Sequence, residues 1–165
     1  MNIFKAMVPD AVYNDVKSIP FDELKAQGKT TLLLDFDNTL GPDRSFEPNE
    51  YSFECVKLVQ DLGFKCILVS NAKSGRSAGI ASALNIPCVT YAQKPKPNGV
   101  FRAIEKMQVT NNECVMIGDQ VFTDVMAGKL AGVYTIMVEK YQKKEKWYIL
   151  IKRPFEKIVR LIAKF

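Results

Sequence analysis

The sequence predicts a doubly wound α/β domain, built on a mainly parallel five-stranded sheet with helices on both faces. Two observations carry that expectation. Five short apolar runs, rich in β-branched or aromatic residues and too short for helices, read as strands. Segments with helical spacing alternate with them, which implies right-handed crossovers between parallel strands. With 165 residues and 47% hydrophobic content, one such domain can bury a core without staples or a partner.

In chain order, the stretch to Gly28 is expected to pack on a sheet edge, with a short helix over 21–26. The first strand spans 30–36. A helix over 49–62 places Phe53, Val56, Leu58 and Val59 near one face and ends at Gly63. The second strand spans 65–71, and a Ser-capped helix over 74–84 sets Ile80 and Leu84 one turn apart. After a third strand at 88–92, a helix over 97–107 has Pro97 near its start and a stripe of Val100, Phe101, Ile104 and Met107. A fourth strand at 113–119, a short helix over 122–131 stopped by Gly132, and a fifth strand at 134–139 complete the domain. Residues 1–140 are thus one folded unit, and 141–165 form a basic amphipathic tail.

Composition narrows the chemistry. There is no histidine, which removes Ser-His-Asp and Cys-His catalysis and the common zinc sites. Cys55, Cys66, Cys88 and Cys114 lie apart in apolar stretches and read as buried, reduced thiols of a cytoplasmic protein. The start of the chain does not read as a secretory signal, and no run approaches the length of a membrane span. The net charge of +5 is concentrated: 140–165 carries nine basic and two acidic residues, while the remainder is slightly acidic. The basic character therefore belongs to the tail.

In doubly wound sheets ligands bind beyond the carboxyl ends of the strands. Four polar clusters fall at that edge: Asp35-Phe36-Asp37-Asn38-Thr39, Ser70-Asn71, Lys94-Pro95, and Gly118-Asp119 with Asp124 five residues on. Each alone is compatible with turns or helix caps. Together they suit one chemistry. A phosphate monoester is a dianion that resists attack by a carboxylate unless cations neutralise the developing charge. Oxygen ligands from Asp35, Asp119 and a backbone carbonyl near Asp37 suit Mg2+, and Lys94 adds a second positive charge.

This ordered set resembles the haloacid dehalogenase superfamily of phosphotransferases over roughly residues 30–132. The resemblance implies that Asp35 is the nucleophile that takes the phosphoryl group, and that Asp37 is the acid and base for leaving group and water. It implies that Ser70 holds phosphoryl oxygens with nearby backbone N–H groups, and that Thr39 fixes the loop. Asp35, Asp37, Asp119 and Asp124 are the expected metal-site residues, with Asp124 orienting a metal-bound water or Lys94. Thr39, Asn71 and Arg76 are the expected substrate-side residues. For Arg76 two readings stand: contact with a second phosphate, or a charge at a helix start that faces water.

Neither gap between the motifs has room for the cap domain that many superfamily members insert. An open site suits a large substrate: a phosphoprotein, a nucleic-acid end or a lipid headgroup. The tail has Trp147 followed by Phe155, Ile158, Val159, Ile162 and Phe165 at helical spacing, with Lys157, Arg160 and Lys164 on the other flank. It reads as a terminal helix packed on the domain, as an element lying on anionic membrane, or as a binder of nucleic-acid phosphates. A recruited binding module at membrane or ribosome is the non-enzymatic alternative. Within the superfamily, the capless form and the N-terminal residues Phe4 to Pro9 and Lys17-Ser18-Ile19 resemble subfamily IIIA, the YqeG-type phosphatases. These are similar to phosphatases that act on phosphatidylglycerophosphate. That resemblance implies a lipid phosphate substrate and attachment to the inner face of a membrane.

Overall fold

The computed structural model describes residues 4–72, 74–139 and 141. The basic tail from 142 onward lies outside them. The chain runs β1 (Ala11–Tyr13), α1 (Phe21–Ala26), β2 (Thr31–Leu34), α2 (Glu50–Asp61), β3 (Lys65–Val69), α3 (Ser74–Ala83), β4 (Cys88–Val89), α4 (Asn98–Met107), β5 (Cys114–Gly118), α5 (Met126–Leu130) and β6 (Tyr134–Val138). A π-helical turn, Val121–Val125, leads into α5. The sheet order is β1-β6-β5-β2-β3-β4, and every pairing is parallel.

Six strands replace the expected five. The additional one is β1, which pairs Ala11, Val12 and Tyr13 with Ile136, Met137 and Val138. Three partly buried residues are too few to show an alternating pattern. The N-terminal extension therefore contributes to the sheet edge itself as well as packing against it.

Burial on both faces explains the continuous apolar runs. Leu32, Leu34, Cys66, Leu68, Val115 and Ile117 face one layer, where they meet Phe21 and Leu24 of α1, Cys55, Val56 and Val59 of α2, and Ile80 of α3. Their neighbours Leu33, Ile67, Val69 and Met116 face the other, against Val100, Ala103 and Ile104 of α4 and Ala127 of α5. Each such fully buried aliphatic side chain contributes about 1.5–3 kcal/mol. Two aromatic residues depart from their expected stripes: Phe53 and Phe101 are 47% and 45% exposed. Helical spacing admits a wider apolar arc than these short helices bury. Burial also pushes the thiols up, to about 11 at Cys55 and Cys114 and about 12 at Cys66, so they are inert at neutral pH.

Strand order fixes where the site lies. From β2 the chain steps outward through β3 to β4, then crosses back over α4 to β5 on the other side of β2. The reversal leaves a crevice at the carboxyl ends of β2 and β5. The connection from β2 to α2 is tied down from both ends. Ser52 Oγ donates to the Leu40 carbonyl at 2.7 Å, and Asn49 caps α2 by accepting from the Ser52 N–H at 3.0 Å. Between β2 and α2, and between β3 and β4, the described residues form no cap domain.

The opposite edge of the sheet is held by Asp10. Its carboxylate accepts from the Thr135 N–H at 2.7 Å and the Thr135 hydroxyl at 3.0 Å, and it pairs with Lys129. Asp10→Ala should lower unfolding free energy by about 1–3 kcal/mol in denaturant titration, because it strands a backbone donor. Turnover per folded molecule should not change, since Asp10 sits at the amino end of the strands.

Candidate active site

The site begins where β2 ends. Asp35 is buried, and its N–H donates to the Ile117 carbonyl at 2.9 Å, which continues the pairing with β5. The chain then turns sharply. Asn38 adopts φ 60°, its N–H donates to the Gly41 carbonyl at 2.8 Å, and the Leu40 and Gly41 N–H groups both donate to the Phe36 carbonyl. Gly41 is required here because a Cβ would lie 2.7 Å from the Phe36 ring. Thr39 is buried within this turn, and its hydroxyl has no hydrogen-bond partner among the described residues.

Lys94 joins the four clusters. Its ammonium is almost fully buried and donates to Asp35 Oδ1 at 2.6 Å, Asp124 Oδ1 at 2.6 Å and the Val69 carbonyl at 2.8 Å. Those three acceptors use all three of its donors. Asn71 fixes the Lys94 backbone from the side: its Oδ1 accepts from the Lys94 N–H at 2.8 Å and its Nδ2 donates to the Lys94 carbonyl at 2.9 Å. Ser70, just past β3, is 4% exposed, and its Oγ accepts from the Ala72 N–H at 3.1 Å. Asp124 reaches the site from the π-helical turn, with Oδ2 accepting from the Gln120 N–H at 3.2 Å. It lies directly over Gly118, where a Cβ would stand 2.3 Å from the Asp124 carboxyl carbon.

Asp35, Asp119 and Asp124 each present an oxygen, and the three oxygens lie within 4.8 Å of one another. Lys94 neutralises one of these three buried charges, and the excess is unfavourable in a dry site. An all-oxygen, anionic donor set of this kind fits a hard divalent cation. Asp37, expected among the metal-site residues, places its carboxylate elsewhere. Arg76 grips it with two nitrogens, Nη1 to Oδ2 at 3.0 Å and Nη2 to Oδ1, while the Arg44 N–H donates to Oδ1 at 2.8 Å. Arg76 Nε also donates to the Ser45 carbonyl at 2.7 Å. The water-facing reading of Arg76 is therefore corrected: its side chain is 15% exposed and joins α3 to the loop after β2. Sequence spacing could not show that pairing, because the two residues come from different elements.

Charge coupling shapes the acids. Burial raises the Asp35 carboxyl to about 7, with Lys94 opposing the shift and the Asp124 charge adding to it. At Lys94 burial works toward loss of the proton, but Asp124 and Asp35 outweigh it, and the ammonium is held above its usual range. Lys94 stays charged, and Asp35 is the group whose charge depends on further positive potential nearby.

A parallel sheet that gathers carboxylates and one lysine at its switch point suits phosphoryl-transfer chemistry on an anionic substrate. The chain belongs to the haloacid dehalogenase-like hydrolases, whose family pattern it matches over residues 21–132. It is 31% identical over 134 residues to the probable phosphatase YqeG of Bacillus subtilis, across 81% of this chain and 78% of that protein. It is 26% identical over 156 residues to the chloroplastic/mitochondrial phosphatidylglycerophosphate phosphatase 1 of Arabidopsis thaliana, across 87% of this chain but 44% of the plant protein. The chain thus spans less than half of that relative. Among solved structures, the cobalt-bound deoxy-D-mannose-octulosonate 8-phosphate phosphatase of Haemophilus influenzae superposes with a TM-score of 0.56 at 14% identity, over 85% of this chain and 92% of that one. A Xanthomonas campestris protein gives 0.57 at 14% identity, over 92% and 93%. These likenesses bear on the fold. The family and its phosphatase relatives make this chain a phosphomonoester hydrolase.

Two outcomes test the geometry. Gly118→Ala should push Asp124 off Lys94 and weaken divalent-cation binding at least about tenfold by calorimetry, with a parallel loss of turnover. The second follows from Asp35. Without a cation the folded state holds this proton more tightly (about 7, against 3.8), so stability falls as pH rises from about 4 to about 7. A divalent cation should therefore raise Tm more near about pH 8 than near about pH 5, and Asp35→Asn should remove most of that difference. Equal shifts at both pH values would contradict the assignment.

Proposed function

We propose that the protein is a magnesium-dependent phosphatase that forms a phosphoryl-Asp35 intermediate and acts on a lipid phosphate of the phosphatidylglycerophosphate kind. The observation that supports the chemistry is the Lys94 ammonium, shared by Asp35 and Asp124 in a cluster with the Asp119 carboxylate. Asp35, Asp119 and Asp124 are the side chains that would hold the magnesium ion, with a backbone carbonyl near Asp37; when bound, it supplies positive charge against the dianionic ester.

In the first half-reaction an Asp35 oxygen attacks phosphorus, the bond from phosphorus to the alcohol oxygen breaks, and protonated Asp37 gives its proton to that oxygen. In the second, Asp37 takes a proton from water as the water oxygen attacks the phosphorus of the aspartyl-phosphate. Inorganic phosphate leaves and the Asp35 carboxylate is restored. Lys94 offsets charge on Asp35 and the phosphoryl oxygens, and Asp124 positions Lys94. Asn71 contributes by fixing the Lys94 backbone, Ser70 and nearby backbone N–H groups would hold the phosphoryl oxygens, and Thr39 shapes the turn.

Four observations support a membrane-borne substrate. Plant and algal relatives are named for phosphatidylglycerophosphate, although the chain spans only about half of each. No cap domain is present among the described residues, so a bulky partner can reach the site. Phe46, 78% exposed, lies on the loop that Arg76 fastens beside Asp37. The basic segment 140–165, almost all outside the described residues, supplies cations for an anionic bilayer, each contributing about 1 kcal/mol near the surface. This reading places the protein in the cytoplasm, peripheral to the inner face of the membrane.

The test is phosphate release from phosphatidylglycerophosphate in mixed liposomes, with soluble monoesters as controls. Release should stop when magnesium is chelated and fall at least about a thousandfold in Asp35→Asn, with the circular dichroism spectrum unchanged. Rapid turnover of a phosphopeptide or a nucleic-acid 5′-phosphate with none of the lipid would overturn the substrate assignment.

A further inference from the structure

Both oxygens of Asp37 are occupied. Arg76 takes both, and the Arg44 N–H takes Oδ1 as well. Oδ1 holds two donors and Oδ2 one, which leaves one of roughly four acceptor positions, so Asp37 is freed to turn toward a leaving oxygen when Arg76 yields part of this grip. Its guanidinium sits in a partly buried pocket, where an unpaired cation is costly. Whatever brings Asp37 to the leaving oxygen is therefore favoured if it supplies Arg76 with a replacement anion.

We infer that Arg76 is a specificity residue that exchanges Asp37 for a second oxyanion on the substrate, set two or three carbons from the phosphate ester. The inference deepens the lipid-phosphate reading and rests on it. A leaving oxygen about 2.9 Å from Asp37 and a replacement anion about 2.9 Å from Arg76, with Asp37 and Arg76 side by side, lie on the order of 6–9 Å apart, a separation that a short carbon bridge between two phosphates can span. The planar fork of arginine accepts phosphodiester or carboxylate oxygens as readily as those of Asp37. Nε can keep its bond to the Ser45 carbonyl meanwhile, so the side chain pivots and does not leave. A substrate with a single charged group offers no exchange, and it leaves Asp37 held away from its work. The second charge thus acts in the reacting state, through the freeing of Asp37, as well as in binding.

The test uses the full-length protein and four soluble phosphomonoesters: glycerol phosphate, phosphoglycerate, glycerophosphoglycerophosphate, and the methyl triester of that last compound. The triester keeps the size and removes the second charge. The wild type should favour glycerophosphoglycerophosphate over its methyl triester by at least about tenfold in kcat/KM, part of it in kcat. Phosphoglycerate against glycerol phosphate reports whether a carboxylate serves as the second anion as well as a phosphodiester. Arg76→Gln should bring the diester-to-triester ratio near one, and Arg76→Lys should restore part of it. An undiminished ratio in Arg76→Gln, or wild-type hydrolysis of diester and triester at equal rates, overturns the inference. The wild-type comparison decides even if a variant fails to fold. Equal hydrolysis would leave the phosphatase function standing, whereas refusal of glycerophosphoglycerophosphate while the other monoesters react would count against the lipid reading itself.

Discussion

The rest of the site depends on one buried cation. The Lys94 ammonium lies among Asp35, Asp124 and the Val69 carbonyl, each within 2.8 Å. Removing such a group leaves carboxylates unpaired in a medium of low dielectric, a loss of several kcal/mol. Its placement is consequently over-determined. Asn71 holds its backbone from both sides, and Asp124 can reach it only because Gly118 lacks a side chain. The π-helical turn at Val121–Val125 brings Asp124 back over the end of β5, a local departure from regular helix of the kind found at functional sites.

That cation also explains the division of labour between two aspartates only two residues apart. Asp35, at the strand end, faces Lys94 and shares a compact space with Asp119 and Asp124. Asp37, beyond the turn that starts at Phe36, points instead to Arg76 and the loop at Arg44. In the proposed mechanism the first, beside the Lys94 ammonium, is the nucleophile, and the second is kept apart for proton transfer. Two carboxylates with roles set by environment are a recurring arrangement in hydrolysis.

Much of this was legible before the fold was known. Asp35, Ser70, Lys94 and Asp119 each follow a strand whose apolar run is conspicuous, and the parallel order forces those ends onto one edge. Strands β2, β3, β5 and β6 and the five helices were readable for the same reason, whereas the run at 88–92 pairs as a strand only over Cys88–Val89. What could not be read depended on contacts between elements. Three residues, Ala11–Tyr13, become a strand only because β6 has a free edge. Phe53 and Phe101 are apolar by type yet exposed, because helix rotation is set by the layer beneath. The Arg76 to Asp37 pair joins α3 to the loop after β2 and leaves no mark in spacing. The segment from 142 onward carries the charge pattern that suggests a surface, but it lies outside the described residues.

The central claim is that Asp35 accepts the phosphoryl group while Asp37 handles the protons. It is tested most directly by acid-quenching Asp37→Asn after incubation with acetyl phosphate or p-nitrophenyl phosphate, and mapping the phosphoryl group by peptide mass spectrometry after borohydride reduction. Those leaving groups need no proton, so the first step proceeds while hydrolysis of the intermediate stalls. The account predicts a trapped phosphoryl group on Asp35 alone. A phosphoryl group on any other residue, or continued turnover of this variant with no covalent intermediate, would contradict it.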